Sequence, residues 1–216
     1  FLCIVSTNLD EFFEIRVSGL RQRLELGLPP QGPDMLNAKQ VLTDIASRTH
    51  ALVEEQYCLL NEELIPALES AGIRFVRRTR WRIAHRDWLR NYFHREIEPV
   101  LSPTSLDPAR PFPKILNKSL NFIVGLKGMH AFGRPVQRAI VQAPRSLPRL
   151  IRLDPSLPYT GPNDFVFLSS VIHAFVDELF TGMEIQGCHQ FRVTRNSDLY
   201  VETEEVDDLM RAVEGE

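Results

Sequence analysis

The sequence has little cysteine. Cys3, Cys58 and Cys188 are the only three in 216 residues. The number is odd and no two lie close together, so neither a disulfide framework nor a CxxC or Cys/His metal site can be written. Sparse thiols of this kind suit a reducing cytosol. Long apolar runs are missing too, with none approaching the ~20 residues that span a membrane. Phe1 stands where a starting Met would be, and no basic-then-apolar leader follows it. The expectation is a sequence that begins inside a longer protein. The P-loop, dinucleotide-binding, zincin and nucleophile-elbow patterns are all absent. The histidines at 50, 85, 94, 130, 173 and 189 are scattered, and each reads as a surface or packing residue. No residue is assigned a catalytic or metal-ligating role.

What is present is an ordinary globular composition, 44% hydrophobic and 25% charged, with enough apolar side chain for a core. Charge is unevenly spread. Residues 1–72 carry a net −6, residues 73–201 a net +9, and residues 202–216 a net −6. The middle segment could attract a polyanion although the whole chain is acidic.

Residues 1–72 read as helical. Leu9, Phe12, Phe13, Val17, Leu20 and Leu24 recur at three- and four-residue spacings and predict one buried face. Asp10 and Glu11 suit a first helical turn, and Gly27 a helix end. Residues 28–34 form a proline-rich loop, Asn37 caps the next helix, Pro66 kinks it and Gly72 ends it. After Gly72 the pattern mixes. Short strands are expected at residues 73–76, 120–126, 139–141, 150–153 and 191–194. Helices are expected around Trp88–Leu101 and Val171–Leu179, and a last acidic one at Glu204–Val213. The segment 102–114, with four prolines, reads as irregular. The fold class is α+β: an antiparallel helical domain over residues 1–72, then a mixed α+β domain over 73–216.

Three stretches carry chemistry. Ser6-Thr-Asn-Leu-Asp-Glu-Phe-Phe13 places a polar triplet before an acidic turn. Taken alone it favours an N-cap, though the Asn8 carboxamide could also meet a nucleobase edge or a phosphate oxygen. Residues 73–95 hold eight arginines against one acid, Asp87, with Trp81 and Trp88 among them. Guanidinium forks suit phosphate, and the aromatic interleaving also suits single-stranded nucleic acid. In Phe191-Arg-Val-Thr-Arg-Asn-Ser-Asp198, a strand would put Arg192 and Thr194 on one face. Arg192, Arg195 and Asn196 then make a plausible anion site, with a plain strand-to-turn exit as the alternative.

Phe1-Leu-Cys-Ile-Val-Ser-Thr-Asn-Leu-Asp-Glu-Phe-Phe-Glu-Ile-Arg-Val17 resembles the N-terminal motif of the large, multidomain polyphosphate kinases. Pro111-Phe-Pro113, Leu116-Asn-Lys-Ser-Leu-Asn-Phe122, Pro148-Arg-Leu-Ile151, Leu179-Phe180 and the 191–198 motif follow in that family's order. The resemblance implies reversible transfer of the terminal phosphate of ATP to polyphosphate through a phosphohistidine. That histidine and the Mg2+-linked residues would lie in phospholipase D-like C-terminal domains absent from this sequence, so residues 1–216 alone are expected to be inactive. It further implies that 1–72 is the helical N-terminal domain and 73–216 a dimerising head domain. Asn8 would contact ATP or ADP; Arg192 and Arg195, which flank Thr194 in a basic segment, are expected to contact polyphosphate. The partners implied are ATP/ADP, inorganic polyphosphate and a second copy of the chain, with no nucleic acid. The place implied is the cytoplasm, with room for peripheral attachment at the inner membrane. The competing readings are a basic-aromatic nucleic-acid-binding module and a purely structural dimerisation unit.

Overall fold

The computed structural model describes residues 1–29, 36–107, 112–128 and 137–196. The expected helix at 204–213, Asp198, Pro108, Pro111 and most of the 28–34 loop lie outside the described residues. Two compact units form. One holds Phe1–Glu54 with the described residues from Thr194 onward, and the other holds Glu55–Val193.

In the first unit, helix α1 (Leu2–Glu11) passes through a π-helical turn (Phe12–Val17) into α2 (Ser18–Glu25). This differs from the helix start expected after Asn8. Nothing in residues 2–8 breaks a helix, and the Thr7 hydroxyl donates to the Cys3 carbonyl at 2.9 Å, a local bond that a helix interior tolerates. Asn8 is therefore interior to α1 and not a cap. The apolar face is less buried than its spacing suggested: Val17 is buried, whereas Phe12 and Leu24 are exposed. Gly27 supplies the left-handed turn (φ 61°) just past α2. Helix α3 (Ala38–Cys58) opens on a reciprocal cap. The Gln40 N–H donates to Asn37 Oδ1 at 2.9 Å and the Asn37 N–H to Gln40 Oε1 at 3.2 Å.

In the second unit a π turn (Leu59–Leu64) leads to α4 (Ile65–Ser70), which has Pro66 in its first turn and ends before Gly72. Then follow β1 (Arg74–Phe75), α5 (Ile83–Tyr92) with a π turn to Ile97, β2 (Ser102–Ser105), β3 (Leu120–Lys127), β4 (Arg138–Ala143), β5 (Leu150–Arg152), β6 (Asp164–Phe167), α6 (Leu168–Phe175) and β7 (Glu184–Phe191). One sheet runs β1-β6-β5, with β1 and β6 parallel. The other runs β2-β4-β3-β7 and is antiparallel. The α+β class holds.

Three differences from expectation have local causes. Ser102–Ser105 is a strand despite Pro103, because β2 sits at a sheet edge where a missing N–H is tolerated. β6 (Asp164–Phe167) passes directly into α6 with no turn residue between them, so no boundary marks it as a separate strand. β7 starts earlier than expected and stops at Phe191, because its pairing with β3 ends there. Arg192 and Thr194 are thus beyond the strand.

The core joins one face of the larger sheet to two helices. Leu89, Phe93 and Ile97, four residues apart, meet Phe122, Val124, Val141, Val171, Ile172 and Phe175. The Phe93 and Phe175 rings lie 5.6 Å apart. Two polar clamps tie this unit together. Asp164, 1% exposed, accepts from Arg74 Nε at 2.7 Å, from Arg74 Nη2 and from the Gly161 N–H at 2.8 Å. His94 lies between Glu98 Oε2, at 2.6 Å from Nδ1, and Glu178 Oε2, at 2.7 Å from Nε2.

Both clamps titrate. Burial pushes the Asp164 carboxyl up, but Arg74 and the Gly161 N–H outweigh it and hold the group below the usual carboxylate range. Its contribution is present above about pH 4 and is lost as pH falls through the depressed value. Asp164→Asn should cost about 1–3 kcal/mol near neutral pH and flatten the acid limb of a Tm-versus-pH profile. His94 is shifted the other way, chiefly by its bond to Glu98, with Glu178 adding to it. Its contribution is full below about pH 6.5 and is lost as pH rises through the raised value. His94→Gln should flatten the profile on that side, and an unchanged slope there would show that His94 does not act as a charged clamp.

Candidate functional site

The apolar-polar spacing of the first helices builds a cleft within the first unit. Phe13, Val17, Arg21 and Glu25 recur every four residues, and Ser18 and Gln22 sit beside them, so one helix face presents all of them. With Thr194, Arg195 and Asn196 they line a cleft of about 500 Å³. Its floor turns on the π-helical segment, where Glu14 and Val17 are buried and the Ser18 hydroxyl donates to the Glu14 carbonyl at 2.6 Å. π turns often mark functional positions in helices. Two guanidinium groups, the Gln22 amide and the Thr194 hydroxyl offer donors suited to phosphate oxygens, and Glu25 opposes them.

The residues singled out from sequence are thus distributed. Arg195 lines this cleft, with Arg21 as a second guanidinium that sequence reading missed. The signal for Arg21 was its i+4 spacing from Val17. Arg192 is exposed just past β7 and belongs to the second unit. Asn8 is exposed on α1 and is not among the residues lining the cleft.

The arginine-rich stretch 73–95 resolves into individual contacts. Arg74 pairs with Asp164, Arg80 with Glu69 at 3.6 Å, Arg90 with Glu178 at 2.9 Å and Arg95 with Glu96 at 2.9 Å. Arg82 lies 4.6 Å from the Tyr159 ring centroid. Arg78 instead meets His173 Nδ1. Trp81 and Trp88 face inward. Both are half-buried and pack against the core, the Trp81 N–H donating to the Val76 carbonyl at 3.1 Å and Trp88 stacking on Tyr92. His85 is buried, accepting from the Arg82 N–H at 3.3 Å and bonding Thr160 Oγ1 at 2.9 Å, which is a structural role. Among the described residues no three His, Cys, Asp or Glu side chains converge as a metal-ligand set, and no helix is long and apolar enough to cross a membrane.

Comparison with known proteins places the chain. The model of the polyphosphate kinase N-terminal domain matches residues 1–76, and that of the polyphosphate kinase middle domain matches residues 84–216. Polyphosphate kinase of Pseudomonas putida is 52% identical over 216 residues, which are 100% of this chain and 30% of that protein. The Pseudomonas aeruginosa polyphosphate kinase is 51% identical over 216 residues, 100% of this chain and 31% of the relative. That of Xylella fastidiosa strain Temecula1 is 53% identical with the same coverage. The crystal structure of polyphosphate kinase from Porphyromonas gingivalis superposes with a TM-score of 0.75 at 26% identity, over 99% of this chain and 32% of that one. The chain spans about three tenths of the length of these relatives. It belongs to the polyphosphate kinase family, and its two matched regions are that family's N-terminal and middle domains.

Proposed function

We propose that this chain is the nucleotide- and polyanion-facing part of an ATP:polyphosphate phosphotransferase. The observation that carries this reading is the match of two polyphosphate kinase domain models to nearly the whole sequence. In the complete enzyme the terminal phosphate of ATP passes reversibly to polyphosphate by way of a phosphohistidine outside residues 1–216. Phosphoryl transfer depends on positioning and on neutralising phosphate charge. The contribution of this segment is of that kind. Asn8 contacts the nucleotide, and Arg192 and Arg195 contact the phosphate chain. Residues 1–72 act as the helical domain, and residues 73–216 as the head that carries a dimer contact. The Mg2+ that such a reaction uses would take its ligands from outside residues 1–216. The enzyme works in the cytoplasm. A nucleic-acid role for the 73–95 stretch is disfavoured, because Trp81 and Trp88 pack inward and offer no stacking platform.

Labelled ATP tests the reading. The full-length protein should form acid-labile phosphoprotein and polyphosphate, and residues 1–216 alone should form neither; label on the isolated segment would overturn it. In the same assay Asn8→Ala should raise the KM for ATP about two- to tenfold, the equivalent of one lost neutral hydrogen bond. Asn8→Asp should do worse, since it adds negative charge beside phosphate. Because Asn8 is not a cap, neither change should move the Tm appreciably, and normal ATP kinetics in both would remove Asn8 from the nucleotide site.

The arginine pair is tested by salt. Arg192→Ala with Arg195→Ala should raise the KM for polyphosphate about two- to tenfold at low ionic strength. The defect should shrink as salt rises, because salt already screens these contacts in the wild type. A folded double variant with unchanged kinetics at low salt would leave both residues without a substrate role.

A further inference from the structure

A second cleft, also of about 500 Å³, lies wholly within the second unit. It is built where two parallel strands deliver their following segments to one place. β1 and β6 pair in register, Arg74 with Asp164 and Phe75 with Phe165. Three residues past β1 comes Arg78. Directly past β6 comes α6, which carries Ser169, Ser170 and His173. Edge strand β7 closes the other side with His189 and Gln190.

The chemistry of this cleft is that of an anion site. None of its lining side chains is a carboxylate. Of its neighbours, Arg74, Arg80, Arg90 and Arg95 are neutralised by Asp or Glu, and Arg82 and Arg86 lie over aromatic rings, whereas Arg78 meets an imidazole nitrogen. A guanidinium has only donors, so His173 Nδ1 accepts and the ring proton sits on Nε2, available as a further donor. No side chain caps α6, so Ser169 and Ser170 bring hydroxyls together with first-turn N–H groups. The His189 ring lies back over Gly187, where an added Cβ would stand 3.3 Å from Nε2. A short residue at 187 therefore lets the imidazole fold back along the strand.

We infer that the cleft formed by Arg78, His173, His189 and the Ser169–Ser170 end of α6 is a subsite for an inorganic phosphate chain. A single cation with several neutral donors suits the oxygens of a phosphate chain. The lining holds no Phe, Tyr or Trp on which a base could stack, which favours an inorganic chain over a nucleotide. The inference rests on the polyphosphate reading above and adds a site for that substrate separate from the Arg195 cleft.

The test is hydrogen–deuterium exchange on the full-length enzyme titrated with tripolyphosphate, read on peptides covering residues 168–175 and 184–191. Both should be protected. Arg78→Ala should raise the half-protecting concentration about tenfold, the loss of one charged hydrogen-bonding group. Arg78→Lys, which keeps the charge but not the fork, should fall between, and His173→Gln should weaken protection in the same direction. ADP should protect these peptides far less than tripolyphosphate. Absent protection, equal protection in folded Arg78→Ala, or equal protection by ADP would overturn the inference. The two readings fail separately. An enzyme that makes polyphosphate without protecting these peptides refutes only the subsite. One that makes none refutes the proposed function on which the subsite rests.

Discussion

The second unit depends on one ion pair, in which a buried carboxylate, Asp164, meets a half-exposed guanidinium, Arg74. Asp164 is almost wholly enclosed, and Arg74 reaches it with two nitrogens while the Gly161 N–H takes a third position. A buried carboxylate without such partners would be costly. With them, it locks β1 beside β6 at the point where β1, only two residues long, has little ladder of its own. The segments that follow each strand then lie side by side. Arg78 is three residues downstream of one strand and α6 is joined directly to the other, so the pair sets the spacing between the guanidinium and His173. The core rows of Leu89, Phe93 and Ile97 hold α5 and α6 against the larger sheet, but packing alone is non-directional. The ion pair supplies direction.

How much of this could be read from the sequence depended on the kind of signal. Alternation over eight residues made β3 legible, and Gly27, Asn37 and Gly72 marked helix boundaries correctly, because left-handed turns and caps need particular residues. Length alone did not decide legibility, since β1 and β5, both shorter than β6, were expected. β6 passes directly into α6 with no turn residue between them, and β2 contains a proline that only its edge position excuses. The polar triplet before Leu9 looked like a helix start because Ser, Thr and Asn favour caps. Yet Leu2–Val5 holds no Gly or Pro and is helical in the structure, so the polar triplet falls inside a continuous helix. The apolar spacing of the first helix showed which face is apolar, not what covers it, so Phe12 and Leu24 proved exposed.

The basic stretch shows the same limit in the candidate sites. Eight arginines within 23 residues look like one polyanion surface in sequence. In the structure most are held by carboxylates or aromatic rings, and what distinguishes Arg78 is that its partner is an imidazole nitrogen. That partner lies 95 residues away, a distance no local pattern spans. Arg195 and Arg21 come to line one cleft by the same kind of long-range closure. Net charge suggested a polyanion as the ligand class, whereas the positions proposed to hold it are set by tertiary pairing.

The central claim is that Asp164 and Arg78 act as one device: the ion pair positions the guanidinium that holds phosphate. A double-mutant cycle measures this directly, with tripolyphosphate affinity of the full-length enzyme at the 168–175 peptide as the readout, well below each variant's Tm. Asp164→Asn and Arg78→Ala should each weaken binding, and the double variant should be little worse than Arg78→Ala alone. The implied coupling is about 0.5–3 kcal/mol, typical of residues acting through a shared structure. Losses that simply add would contradict the account, because Asp164 would then stabilise the fold without setting the site.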